Sequence, residues 1–273
     1  MKYIWQEEKW PHMEWKNEDF CTLLAEVHVL QGKLLGRISL FGLADQNESS
    51  LDSMTQEIVH SAQIEGEALN RDSIRSSIAR QLGLPHEGLP TPDHYTEGVV
   101  QVMIDAVQHH DLTVNAERLF SWHAALFPTG RSGLYRISVG QWRTGEEPMQ
   151  VVSGPMGRQK VHYEAPPSDL VPTMMEEMMH WMDSEHTVDP LVKAAVVHLW
   201  FVTVHPFDDG NDRLCRTLTE LMLSRADQTS QRFYSLSSEI LNHRKAYYEH
   251  LEQAQKGGPD ITPWIAWFLQ TLK

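Results

Sequence analysis

Residues 205–216 (HPFDDGNDRLCR) bring an imidazole, carboxylates and two guanidiniums together around a single glycine. Gly210-Asn211 is a tight turn, and a helix is expected to begin at about Asp212. A helix N-terminus preceded by glycine presents free N–H groups and a partial positive charge, which is an anion site. Arg213 and Arg216 lie three apart on the first turn, so both point toward the same anion. His205 stands just before the turn and Asp209 follows four residues on. The chemistry implied is a phosphate site with a general base and a carboxylate for Mg²⁺. Taken singly, such residues are more often structural: His-Pro stops a helix, and Arg beside Asp makes a surface bridge. Six polar residues set between two apolar helices resist that explanation, because burying them unpaired is costly.

The elements that must hold this segment are helical. Residues 190–204 are almost all apolar, with Asp189 as N-cap. On the other side, Leu214, Leu218, Leu221 and Met222 recur at i, i+4, i+7 and i+8. Between residues 19 and 41, Leu23, Val27, Leu30, Leu34 and Phe41 mark one helix of a bundle; Arg37 argues against a coiled-coil seam. Ile74, Ile78 and Leu82 mark another, stopped by Gly83. The Pro/Gly-rich residues 84–92 then divide an N-terminal helical region, 1–90, from a second unit, 91–273. Helices are expected at 93–109 and 116–127, and a last one with Thr262 as N-cap and Pro263 at its first position. Within the poorly periodic stretch 130–167, residues 149–153 and 160–163 flank Gly154-Pro155-Met156-Gly157 as a β-hairpin. The class is mainly α with one small hairpin.

The 205–216 segment resembles the signature of the Fic family, His-Pro-Phe-x-Asp/Glu-Gly-Asn-Gly/Lys-Arg-x-x-Arg, whose members mostly transfer AMP from ATP to a protein hydroxyl. The resemblance implies a Fic-type helical bundle with a hairpin flap, and His205 as general base for a Ser, Thr or Tyr hydroxyl. Asp209 would hold Mg²⁺ on the ATP triphosphate. Gly210, Asn211 and the following amides, Asp212 included, would cradle the α-phosphate, with Arg213 and Arg216 on the β- and γ-phosphates. Residues 149–163 lie where the family has its flap, so Gln150, Val151, Val152 and Ser153 would bind an extended target segment as an added strand. Tyr248 and Gln255, seven apart on one helical face, correspond to the adenine-side wall, beside core positions Tyr247, Leu251 and Ala254. One position departs: Asp212 stands where the family has Gly or Lys. It is an ordinary helix-end carboxylate or a negative charge set against the phosphates.

Residues 51–69 (LDSMTQEIVHSAQIEGEAL) carry an apolar stripe of Met54, Ile58 and Ala62. Ser61 and Glu65 share that face, whereas Glu67 does not. A carboxylate on a core face needs a cation. The stretch from Ser61 to Gly66 resembles the Fic inhibitory motif, Ser/Thr-x-x-x-Glu-Gly/Asn, which implies that Glu65 pairs with Arg216 and blocks the γ-phosphate.

The 273 residues hold 23 Lys+Arg against 37 Asp+Glu, a net charge of −14 that disfavours broad binding of a nucleic-acid backbone. Cys21 and Cys215 make no disulfide framework. The first fourteen residues lack a secretory core, and the longest apolar run, 191–204, is broken by Lys193 and His198 and is too short for a bilayer. The expectation is a cytoplasmic protein whose partner is a hydroxyl-bearing target protein or itself, without membrane contact. Trp5, Trp10 and Trp15 are either a homodimer patch or core. Three activities stay open: autoinhibited AMP transfer; removal of AMP or transfer of another phosphate-containing group, with Glu65 positioning a water; and silent, antitoxin-like binding with Asp212 as the disabling change.

Overall fold

The most apolar stretch of the chain becomes its axis. In the computed structural model, which describes residues 2–153 and 160–273, every residue of the 191–204 run is buried. Around this helix, the others arrange their apolar faces. In chain order the helices are α1 (Cys21–Ile38), α2 (Leu43–Ile64), α3 (Arg71–Gln81), α4 (His94–Gln108), α5 (Ala116–Leu126), α6 (Val171–Ser184), α7 (Pro190–Val204), α8 (Asn211–Asp227), α9 (Leu236–Asn242), α10 (Arg244–Gln255) and α11 (Thr262–Leu272). Two antiparallel strand pairs interrupt them: β1 (Arg131–Ser132) with β2 (Tyr135–Arg136), and β3 (Gln150–Ser153) with β4 (Lys160–Glu164). The turn residues 154–157 expected to close the second pair lie outside the described residues.

The axis helix is α7. Asp189 caps it, accepting from the Leu191 N–H at 2.9 Å, and α6, α8, α10 and α11 pack around it. A polar side chain inside this core is bonded rather than stranded: His198 sits between Thr219 Oγ1 and Tyr247 Oη, 2.9 Å from each. Burial drives its pKa down to about 3, so the imidazole stays neutral.

A smaller apolar cluster joins α2, α3 and α4 through Met54, Ile58, Ile74, Ile78, Met103 and Val107, and so spans the 84–92 linker. The opposite side of α2 docks on α9. There the buried Glu57 carboxylate accepts from Ser235 Oγ at 2.8 Å, from the Ser237 N–H at 2.9 Å and from Ser237 Oγ. A carboxylate at a helix N-terminus meets free amides and the positive end of the dipole. Glu57 therefore rivets α2 to the start of α9.

Some details differ from the sequence reading. α1 is peripheral and ends at Ile38, short of Phe41: Val27 is buried, but Leu30 is 41% exposed and Phe41, beyond the helix, 52%. Thr262 is the first residue of α11 rather than its cap, and its N–H is held by Asp260. Trp5, Trp10 and Trp15 are half-buried against the main core, with Trp10 edge-on to Trp200 at 5.8 Å. Among the described residues no helix is long and apolar enough to cross a membrane.

Candidate active site

A helix ending in the core must dispose of its last carbonyls. At the end of α7 they are met by side chains from three other segments. Val202 O accepts from Gln255 Nε2 at 3.3 Å, and His205 Nδ1 lies 3.4 Å from the same oxygen. Thr203 O accepts from Tyr163 Oη at 2.6 Å. Val204 O and His205 O accept from the Arg143 guanidinium at 3.4 and 2.8 Å. His205 itself is left-handed, φ 52° and ψ 60°, a conformation unfavourable for a side-chain-bearing residue. Its imidazole reaches the surface at one edge but is ringed by protein, and burial first of all lowers its pKa to about 4. With Nδ1–H directed at Val202 O, Nε2 is left as an acceptor without a partner among the described residues.

The loop after His205 is braced from inside. The Asn211 side chain accepts from Phe207 N and donates to Phe207 O, both at 2.8 Å. Only the Asn211 main chain is therefore open to an anion. Gly210 has φ 77°, and a Cβ there would lie 2.7 Å from the Phe127 ring, so glycine is required twice over. α8 begins at Asn211, one residue earlier than the spacing suggests.

A second chain segment runs back along this loop. Ser138 N–H donates to Asp208 Oδ2 at 2.8 Å. Gly140 N–H donates to His123 Nδ1 at 3.2 Å, leaving His123 Nε2–H to donate to Asp209 O at 3.2 Å. Trp142 lies 5.2 Å from Phe207, which stacks on His123 at 4.2 Å. Arg143 N–H donates to Pro206 O at 2.9 Å. Residues 138–143 thus grip 208 back to 205. Asp209 Oδ1 accepts from the Gly210 N–H at 2.6 Å, and Oδ2 accepts from Ser132 Oγ on β1.

The first two arginines of α8, Arg213 and Arg216, are both engaged by carboxylates of the N-terminal region. Arg216 is 1% exposed; its Nε donates to Ser61 Oγ at 2.8 Å, Nη2 to Ser61 O at 3.0 Å, and Nη1 lies 2.9 Å from Glu65 Oε1. The last contact is an ion pair more than an aligned hydrogen bond. Burial works against both charges: it raises the Glu65 carboxyl despite Arg216, while the Glu65 charge more than restores Arg216. Glu65 is not inside the helix, as its stripe suggests, but its C-cap. Gly66 follows at φ 80°, with Glu67 N–H returning to Ala62 O and Gly66 N–H to Gln63 O, both at 3.0 Å. This turn also throws Glu67 inward: Arg213 Nη1 lies 3.3 Å from Glu67 Oε2 and donates to Tyr95 Oη, which donates to Glu67 at 2.7 Å. The Phe127 ring covers Arg213 at 5.1 Å.

Tyr248 Oη lies 3.4 Å from Glu65 Oε1, and buried Gln255 faces the end of α7. Asp212 is half-exposed on the first turn of α8, its carboxyl raised by burial against the pull of Arg216, with Asp209 adding to the rise. In the flap, Gln150 pairs with Glu164, Val151 with Tyr163, Val152 with Val161 and Ser153 with Lys160, with a bulge between Val151 and Val152. Val152 is 39% exposed, and Tyr163 fastens the flap to α7. Sequence reasoning overlooked Ser132, Tyr95, His123 and Arg143, and it set Glu67 off the buried face, where the structure brings it to Arg213. The Gly130 and Gly133 pair flanking β1 was the one local signal for Ser132.

Residues 113–223 match the Fic/DOC family, and residues 3–84 match a domain of unknown function, DUF4172. The chain is 27% identical over 216 residues to the protein adenylyltransferase Fic of Drosophila virilis, covering 77% of this chain and 39% of that protein. Over 95 residues it is 28% identical to a probable protein adenylyltransferase of Aquifex aeolicus, covering 35% of this chain and 27% of that protein. It therefore spans about two fifths or less of the length of these relatives. A solved Fic family protein from Desulfovibrio desulfuricans aligns with a TM-score of 0.62 at 25% identity, covering 93% of this chain and 71% of that one. Fic-1 of C. elegans shares the fold, with a TM-score of 0.65 at 20% identity over 94% and 70% of the two chains. The signature turn, the bundle around it and these likenesses agree: residues 113–223 match the Fic/DOC family, and the fold that holds them is similar to that of solved Fic proteins.

Proposed function

We propose that the protein transfers AMP from ATP to a hydroxyl of a protein, and that it is held back by its own N-terminal region. One observation carries the reading: a neutral imidazole with a free Nε2 stands at one end of a turn whose other end offers helix amides and two guanidiniums. In the reaction, His205 Nε2 takes the proton of the target Ser, Thr or Tyr hydroxyl as its oxygen attacks the α-phosphorus. Pyrophosphate leaves, its charge matched by Arg213 and Arg216. The amides at the start of α8 face the α-phosphate oxygens and need no reorganisation as charge develops.

Asp209 would hold Mg²⁺, which supplies charge neutralisation on the triphosphate when bound. A single carboxylate suits a cation that takes its remaining ligands from phosphate and water. The exposed outer positions of β3 suit an extended target strand. Glu65 on Arg216 occupies the guanidinium that the γ-phosphate needs. The test is intact-mass spectrometry of the protein, and of proteins in an extract, after incubation with ATP and Mg²⁺. The Glu65→Gly variant is expected to add the mass of AMP. No addition in that variant sinks the reading. Addition that appears only once Asp212→Gly is combined with it makes this chain a silent member.

A further inference from the structure

Arg143 is a buried guanidinium, 4% exposed, and all its contacts are backbone carbonyls. Among the described residues no carboxylate pairs with it; Asp208 acts on it only from a distance, and burial lowers its pKa. A charge desolvated without a counter-ion is expensive, so such an arginine calls for a reason. Its contacts supply one. Nε donates to His205 O at 2.8 Å, Nη2 to Val204 O at 3.4 Å and to Pro166 O, and its own N–H to Pro206 O. Three of these four oxygens belong to 204–206, the residues through which α7 turns into the left-handed His205. The fourth lies just past β4, at the root of the flap.

From this geometry we infer that Arg143 is a positioning residue for His205: it holds the strained 204–206 backbone so that the imidazole stands over the anion site, and it ties that placement to the root of the flap. A planar fork is needed, because the acceptors lie on two chain segments and in two directions. A lysine ammonium keeps the charge but cannot span them in a fixed plane. Trp142 against Phe207 and Ser138 on Asp208 keep the gripping segment in register, so the arginine delivers its fork from a fixed base.

The proposal rests on the AMP-transfer reading, and the experiment separates the two. Arg143→Lys and Arg143→Met are made in the Glu65→Gly protein. Both are expected to lose about 100-fold in kcat, the cost of a roughly 1 Å misplacement, while calorimetric ATP affinity stays within about threefold of the parent. If Arg143→Met retains kcat, or if either variant loses ATP affinity in step with kcat, the positioning role is wrong and the residue is merely structural. If the Glu65→Gly parent transfers no AMP, the reaction reading fails by itself. Arg143 is then judged on the ring resonances of His205, assigned by their loss in His205→Ala. They are expected to move in both variants, and unmoved resonances overturn the proposal.

Discussion

Removing the Glu65 carboxylate should release activity, and the structure sets the scale. Arg216 is almost fully buried, and among the described residues Glu65 is the carboxylate in ion-pair contact with it, 2.9 Å from Nη1. Breaking a buried pair from one side costs about 3–5 kcal/mol. Glu65 retains 25% of its side-chain exposure, and Ser61 keeps two of the guanidinium's hydrogen bonds, so about 2 kcal/mol is the appropriate figure here. A triphosphate that takes Arg216 must undo the pair first, so the inhibited chain loses about 30-fold in rate if that cost falls on the aligned nucleotide. Glu65→Gly and Glu65→Gln should therefore transfer labelled AMP about 30-fold faster than wild type at saturating ATP. Without nucleotide they should melt roughly 4–8 °C lower, with ATP restoring more than it does in wild type. Gly at this C-cap does not carry the helix-interior penalty of about 1 kcal/mol. The pH dependence adds a second arm. Burial raises the Glu65 carboxyl, so its charge and the inhibition fade as pH falls through that raised value. His205, lowered to about 4, is still neutral there. The variant-to-wild-type rate ratio should shrink toward one on acidification. Equal rates at neutral pH, or a ratio that grows in acid, refute the reasoning.

His205→Ala should abolish transfer yet leave ATP binding nearly intact by calorimetry, since affinity comes from the amides, arginines and metal. Asp209→Ala should weaken ATP binding in Mg²⁺ far more than in EDTA; an unchanged difference would move the cation to Asp208 or Asp212. Glu67→Gln should raise the rate of the Glu65→Gly protein further, because Glu67 and Tyr95 engage Arg213 separately from Arg216; an additional gain of less than about twofold would make that contact structural only. His198 is held neutral to about pH 3, whereas its unfolded counterpart takes up a proton near 6.5, so stability falls as pH drops between those values. Denaturant unfolding should show wild type losing about 2 kcal/mol more than His198→Gln from pH 6.5 to 5.

The helices were legible because their signals are local. An apolar run interrupted only by Lys193, His198 and Thr203 made α7, Asp189 capped it, and Gly83 closed α3. The signature turn was legible for the same reason. What remained hidden depends on contacts between distant segments. Nothing near Arg143 shows that its acceptors lie 23 and some sixty residues away, and nothing near Asn211 shows its amide turned back on Phe207. Helical periodicity put Glu65 on the buried face and Glu67 off it. The chain leaves the helix at that point, and the left-handed Gly66 brings both carboxylates to the arginines. Leu30 misled because a regular apolar spacing does not say how much of a peripheral helix finds a neighbour, and Phe41 because the helix stops at Ile38 before reaching it.

The Glu57 rivet bears on how such a brake lets go. Swinging α2 outward would strip a desolvated carboxylate from three donors and open the Met54–Ile58 cluster together with it. That motion approaches partial unfolding, and a switch built on it would be slow. The residues beyond the rivet face a smaller barrier, the contacts with Arg213 and Arg216: Glu65 ends the helix, and the glycine after it tolerates either sign of φ. If Glu65 is the brake proposed above, release on this scaffold needs only a small crank of a few residues about Gly66, with the helix as its fixed mount. Amide exchange along α2 should stay slow in the active protein, while exchange quickens only at its final turn.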